Sequence, residues 1–220
     1  MTEKLYYADS YIKEFTARVV SCERVGDRCE VILDRTAFFP EGGGQAGDTG
    51  FIGELRVLDT QEKNGEVVHY TETAPEPGAE LPCGIDWEQR FRRMQNHSGE
   101  HIVSGIVNSL YGYSNIGFHM GSDCVTIDFD GHLSPEQLAD IERRANRAAA
   151  ENRRIICSFP EESVLRELHY RSKLELTENV RIVEIEGLDM CACCAPHLKT
   201  TSEVGMIKIL SSERRRRGGD

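Results

Sequence analysis

Two clusters of metal-binding side chains lie far apart along this chain, and they constrain its fold more than any other feature. The first is His97-Ser98-Gly99-Glu100-His101; the second is Cys191-Ala192-Cys193-Cys194-Ala195-Pro196-His197. Residues four apart on a helix share one face, with β-carbons about 5–6 Å apart. Both imidazoles of the first cluster can therefore reach one ion at roughly 2.0–2.1 Å. Taken alone, the pair also fits two ordinary surface or core histidines. If both clusters hold the same ion, the middle of a helix is stitched to a late loop stiffened by Pro196. Cys191, Cys193 and Cys194 compete as the thiolate. Three thiolates favour a closed structural zinc site, whereas a histidine-rich set leaves room for water or substrate. An open site acts as a Lewis acid or lowers the pKa of bound water towards about 7.

A rival motif overlaps the first cluster. His97-Ser98-Gly99-Glu100-His101 also fits His-x-x-Glu-His, an inverted zinc-peptidase signature with Glu100 as general base. Those peptidases are much larger and use a downstream glutamate ligand, where this chain offers a Cys/His pair. Glu100 is accordingly read as a solvent-facing helix residue.

With 220 residues, 39% hydrophobic and 29% charged, the chain can build one large domain or two modest ones. It carries no long apolar run, so neither a signal peptide nor a membrane span is expected. Eight cysteines without a secretion signal point to the cytoplasm, where thiols stay reduced or bind metal. A net charge of -11 argues against general coating of nucleic acid. A local contact needs only a basic patch. Candidates are Arg90, Arg92 and Arg93, then Arg153 with Arg154, Lys199 with Lys208, and the run Arg214 to Arg217; each by itself reads as a solvated face.

Residues 1–85 read as β-rich. Strand-like runs Glu14 to Arg24 and Cys29 to Asp34 bracket a Gly26-Asp27 turn, and Glu54 to Thr60 and Glu66 to Thr71 bracket Asn64-Gly65. Thr73 to Pro82 reads as a linker. Residues 86–220 read as α+β. Asp86 caps a helix over Trp87 to Tyr111 that Gly112 ends. Cys124 to Phe129 alternates like a strand. Ser134-Pro135-Glu136-Gln137 is a capping box opening a helix to about Asn152. Arg154 to Phe159, Val180 to Glu186 and Val204 to Leu210 read as strands, and Glu161 to Tyr170 as a short helix. Between the N-terminal hairpins, Gly42, Gly43 and Gly44 allow positive φ and close backbone approach. Their N–H groups can hold a carbonyl oxygen or a phosphate, or the run is simply a flexible turn. It lacks the Gly-Lys-Ser/Thr ending of a P-loop.

Four segments in order resemble one family. They are Leu33-Asp34-Arg35-Thr36 with Phe38-Phe39-Pro40-Glu41-Gly42-Gly43-Gly44-Gln45; His97-x-x-x-His101; Cys193-x-x-x-His197; and Lys199-Thr200-Thr201-Ser202-Glu203-Val204-Gly205. Over nearly its whole length the chain resembles the free-standing alanyl-tRNA editing proteins, which look like the editing domain of alanyl-tRNA synthetase. The resemblance implies an α+β fold, with a small N-terminal β-barrel-like domain before an editing domain of the threonyl/alanyl-tRNA synthetase type. It implies Zn2+ held by His97, His101, Cys193 and His197, and hydrolysis of serine or glycine from mischarged alanine tRNA. The glycine-rich motif implies the medium or long subfamily. In long members a C-terminal oligomerisation region begins near a stretch like Arg214 to Gly219. One departure is Cys-Cys-Ala-Pro-His where the family often has Cys-Gly-Gly-Thr-His, which removes a hydroxyl that would serve serine recognition.

Gln45 is a candidate to bond substrate or a positioned water, with Thr36 and His119 as further pocket candidates and Arg92, Arg93 and Lys199 as candidate tRNA contacts. An apolar pocket discriminates poorly against an added hydroxyl, so a second site must bind serine through polar groups that alanine would leave unpaired. The ion either activates water or holds the substrate. Two other functions fit some of the same residues: the zinc peptidase, and a non-catalytic tRNA-binding module with structural zinc.

Overall fold

The computed structural model describes residues 2–121, 123–172 and 179–214. Its N-terminal part contains β1 (Glu3–Lys4), α1 (Leu5–Ala8), β2 (Glu14–Val25), β3 (Arg28–Leu33), β4 (Arg35–Thr36), β5 (Gly50–Ile52), β6 (Leu55–Lys63), β7 (Glu66–Thr71) and β8 (Glu80–Ile85). Then come α2 (Trp87–Tyr111), β9 (Asn115–Met120), β10 (Val125–Phe129), α3 (Pro135–Ala150), β11 (Ile155–Ser158), α4 (Glu162–Leu165), β12 (Ile182–Ile185), β13 (Asp189–Ala192) and a 3-10 turn at Thr201–Val204. The chain is thus α+β, with one large antiparallel sheet. It divides into two compact units, one reaching to Met94 and including Cys194–His197, the other Gln95–Cys193 and Leu198 onward. Among the described residues no helix is long and apolar enough to cross a membrane.

In the first unit, β2, β3, β7, β6, β5 and β8 pair antiparallel in that order, and β8 pairs back on β2. The sheet therefore closes on itself, β8 joining β2 over Glu14–Arg18. Two-residue turns set its register. Asn64 (φ 52°) and Gly65 (φ 80°) both take left-handed backbone, which matches the twist of the flanking strands. Alternate residues point inward, so Val19, Val31, Leu33, Ile52 and Val57 are buried together with Phe38.

Thr73 to Pro82 is not all linker. Glu80 to Pro82 already belongs to β8, and Pro82 stands opposite Thr16. A proline cannot donate to a ladder and demotes a strand reading. Here its carbonyl still accepts from Gly53 N–H at 2.7 Å.

In the second unit β11, β12 and β13 form an antiparallel sheet, and β9 pairs with β10. The capping box at Ser134 is present: Gln137 N–H donates to Ser134 Oγ at 3.3 Å, and Ser134 N–H to Gln137 Oε1 at 2.7 Å. β13 was not legible because a short Asp-Met-Cys-Ala run shows no apolar alternation. The helix expected over Glu161 to Tyr170 is only α4.

Val204 to Leu210 is not a strand. Its alternation is real, but its backbone is satisfied by side chains of α3. Asn146 receives Ile207 N–H at 3.0 Å and donates to Ile207 O at 2.7 Å, and Glu142 receives Ile209 N–H at 2.7 Å. Residues 215–217 of the arginine run, and Gly218 and Gly219, lie outside the described residues.

Candidate metal centre

His97 and His101 stand one turn apart on α2, with ring centroids 5.6 Å apart and both rings buried. Cys193 follows β13 directly. Its backbone is clamped by Arg181: Cys193 N–H donates to Arg181 O at 3.0 Å, and Arg181 Nη1 donates to Cys193 O at 2.9 Å. Beyond it, Leu198 N–H donates to Ser98 Oγ at 3.2 Å. This fixes the main chain next to His197 by the residue next to His97. One nitrogen or sulfur atom from each of His97, His101, Cys193 and His197 lies within 4.8 Å of the others.

The donor set fits zinc. Bond lengths of about 2.0–2.1 Å to nitrogen and 2.3 Å to sulfur place tetrahedral donors about 3.3–3.8 Å apart. His97 Nε2 and Cys193 Sγ are 3.5 Å apart, inside that range. Of the competing thiols, Cys191 is buried in β13 and Cys194 is exposed. Neither belongs to the cluster of His97, His101, Cys193 and His197.

Behind His101 stands an acid that no sequence motif singles out. Asp189, the first residue of β13, has Oδ2 3.3 Å from His101 Nδ1. Arg171 holds the carboxylate from the other side, Nε and Nη2 each donating at 2.7 Å. Burial opposes charge on His101, but Asp189 and the Cys193 thiol outweigh it and hold the ring's pKa well above the ordinary histidine value. Burial also opposes ionisation of Asp189, yet Arg171 and His101 keep its pKa below the usual carboxylate range.

Glu100 is buried rather than solvent-facing. Its Oε1 accepts from Ser104 Oγ and from Asn115 Nδ2, each at 2.5 Å. The Phe118 ring packs on His97 with centroids 4.8 Å apart. Successive side chains alternate on a strand, so His119 occupies the opposite face of β9, and it is exposed.

In the first unit, Gly43 (φ 61°) and Gly44 (φ 82°) form the tip of a tight turn in which Gly42 and Gln45 exchange backbone hydrogen bonds at 3.0 Å. Gln45 is fully buried. Thr36 is fully buried too, its hydroxyl 2.8 Å from His69 Nε2 and accepting Phe38 N–H at 3.1 Å. Among the basic candidates, Arg92 and Lys199 are exposed. Arg93 lies across the loop and donates to Gly47 O at 2.8 Å. Arg90 is no surface charge: it is 1% exposed, ion-paired to Asp48, and donates to Ser10 O at 3.0 Å and Ala37 O at 2.6 Å. A basic triplet on a helix shows nothing of which member turns inward, and buried Asp48 is the partner that decides it.

Residues 180–219 match the model of the threonyl and alanyl tRNA synthetase second additional domain, and residues 2–89 match that of class II (A) tRNA synthetases. An alanyl-tRNA editing protein, AlaX-M, of Methanosarcina mazei is 37% identical over 95% of this chain and 90% of its own length. AlaX-L of Pyrococcus horikoshii is likewise 37% identical, over 96% of this chain. An alanine–tRNA ligase of Ignicoccus hospitalis is 36% identical over 97% of this chain and 24% of its own length. The chain spans 54% of the Pyrococcus protein, about half its length.

Proposed function

The chain belongs to the alanyl-tRNA editing protein family, and from that premise we propose that it hydrolyses mischarged alanine tRNA. The substrate is the ester joining serine, and by extension glycine, to the tRNA 3′ end. Water adds to the ester carbonyl carbon and the carbon–oxygen bond to the ribose breaks, leaving free amino acid and a tRNA hydroxyl. The observation that carries this reading is the convergence of His97, His101, Cys193 and His197 on one small volume.

These four residues would hold Zn2+, which when bound supplies a Lewis acid and a binding point for a polar substrate group. His97 and His101 present their nitrogens from a rigid helix, and Arg181 fixes Cys193. We assign the closed six-stranded sheet to the barrel-like domain within residues 1–85, with residues 86–220 as the editing domain. The Gly42–Gly44 turn offers backbone N–H groups to a carbonyl oxygen or to the terminal phosphate. Gln45 and Thr36 shape that loop from inside. His119, exposed on the face of β9 away from His97, is a candidate for contact with the tRNA only, and Arg92, Arg93 and Lys199 are the candidate phosphate contacts.

Discrimination follows from polar pairing. Serine's hydroxyl satisfies a polar group that alanine would leave unpaired, a difference that rejects the wrong ligand strongly. The test incubates the protein with seryl-, glycyl- and alanyl-tRNA for alanine, with and without a chelator. Seryl-tRNA should be deacylated, alanyl-tRNA spared, and the chelator should stop the reaction. Survival of seryl-tRNA in the presence of zinc overturns the proposal.

A further inference from the structure

The chain Arg171–Asp189–His101 lies entirely within the second unit. Asp189 Oδ2 is 3.3 Å from His101 Nδ1, and its side chain is 2% exposed. Arg171 grips both carboxylate oxygens at 2.7 Å. Its own backbone is fixed onto β13: Arg171 N–H donates to Met190 O at 2.8 Å, and Ala192 N–H to Arg171 O at 2.8 Å. The carboxylate therefore cannot swing away from the ring without breaking a paired contact anchored at both ends.

Room for this arrangement comes from α2 itself. Gly105 lies one turn beyond His101. A β-carbon there would meet Asp189 Cβ at 2.7 Å and Cγ at 3.0 Å. Any larger residue pushes the carboxylate off its place beside His101. A helix interior disfavours glycine relative to alanine, so Gly105 is a residue whose local disadvantage is offset by what it admits.

We propose that Asp189, gripped by Arg171 and admitted by Gly105, is the positioning residue of the metal centre. It stands 3.3 Å from Nδ1 and so orients the His101 ring, which leaves Nε2 as the nitrogen for an ion. The inference rests on the reading of the four-residue cluster as a zinc site. A carboxylate in this role tunes the ligand without touching the ion or the substrate, and its loss typically lowers metal affinity about 10–100-fold.

The test measures zinc affinity by competition with a chromophoric chelator, and visible absorption after cobalt replaces zinc. Wild-type protein, Asp189→Asn and Gly105→Ala are compared. Each variant should bind zinc about 10–100-fold more weakly, with an altered cobalt spectrum, and saturating zinc should restore deacylation. Should Asp189→Asn fail to fold, Arg171→Lys keeps the charge, loses the paired grip, and should weaken zinc in the same direction. If the variants melt earlier but bind zinc as tightly as wild type, the acid is only a strut and the inference is overturned while the zinc reading stands. If wild type itself takes up no zinc, both fall.

Discussion

His97 Nε2 stands 3.5 Å from Cys193 Sγ across 96 residues of sequence. The neighbouring pair repeats the relationship, since the Ser98 hydroxyl accepts the Leu198 N–H at 3.2 Å. Two consecutive residues of α2 thus hold the late loop, His97 by side chains suited to a metal and Ser98 by its hydroxyl on the Leu198 main chain. The loop is positioned by polypeptide contacts, and an ion would find its donors already gathered.

That arrangement separates three cysteines the sequence leaves equivalent. Cys193→Ala should weaken zinc binding more than about 100-fold and abolish deacylation, because a thiolate donor is lost. Cys194→Ala, at an exposed position, should bind zinc normally. Equal losses in the two variants, read by chelator competition, would sink the assignment.

Removing the metal should also cost stability. A ligand that binds only the folded state stabilises it by about 2.7 kcal/mol at a hundredfold excess over Kd. Thermal melts with and without a chelator should show a lower Tm without metal, and Cys193→Ala should no longer respond to the chelator. An unchanged wild-type melt contradicts a bound ion.

The hairpin turns, the long helix, the Ser134 cap and the clustered ligand types were legible because each is a local pattern of a few residues. The rest depended on partners far away. Asp189 stands out only once His101 and Arg171 are beside it. Val204 to Leu210 reads as a strand until Asn146 and Glu142 take up its backbone. Arg90 looks like its neighbours Arg92 and Arg93 until Asp48 draws it inward.

Arg90 should accordingly behave unlike Arg92. Removing one partner of a buried pair strands the other charge and costs about 3–5 kcal/mol. Arg90→Met should lose that much in urea unfolding. Arg92→Met, at an exposed site, should stay within about 0.5 kcal/mol. Comparable, small losses in both would show that the Asp48 pair contributes little.

If Arg92 and Lys199 meet tRNA phosphates, each neutral variant should reduce the salt dependence of tRNA binding. The slope of log affinity against log salt should fall by about 0.7–0.9 per lost contact. Filter binding across a salt series reads this directly. A variant whose slope matches wild type removes that residue from the interface.

His69 gives the first unit a pH dependence. Its buried ring is kept neutral, the pKa lowered by burial to about 4 from 6.5, while Nε2 faces the Thr36 hydroxyl and Nδ1 lies 3.0 Å from Val31 O. Between those values the unfolded chain binds a proton that the folded protein does not, so stability falls as pH falls. The contribution is fully present above about pH 6.5 and is lost by about pH 4, amounting to roughly 3 kcal/mol. Urea unfolding at several pH values should show this loss in wild type. In His69→Gln, which cannot titrate, the acid-side decline should be shallower by about that amount. Parallel profiles for the two proteins would mean that His69 takes up its proton without disturbing the fold, and that Thr36 and the glycine loop beyond it do not depend on a neutral ring.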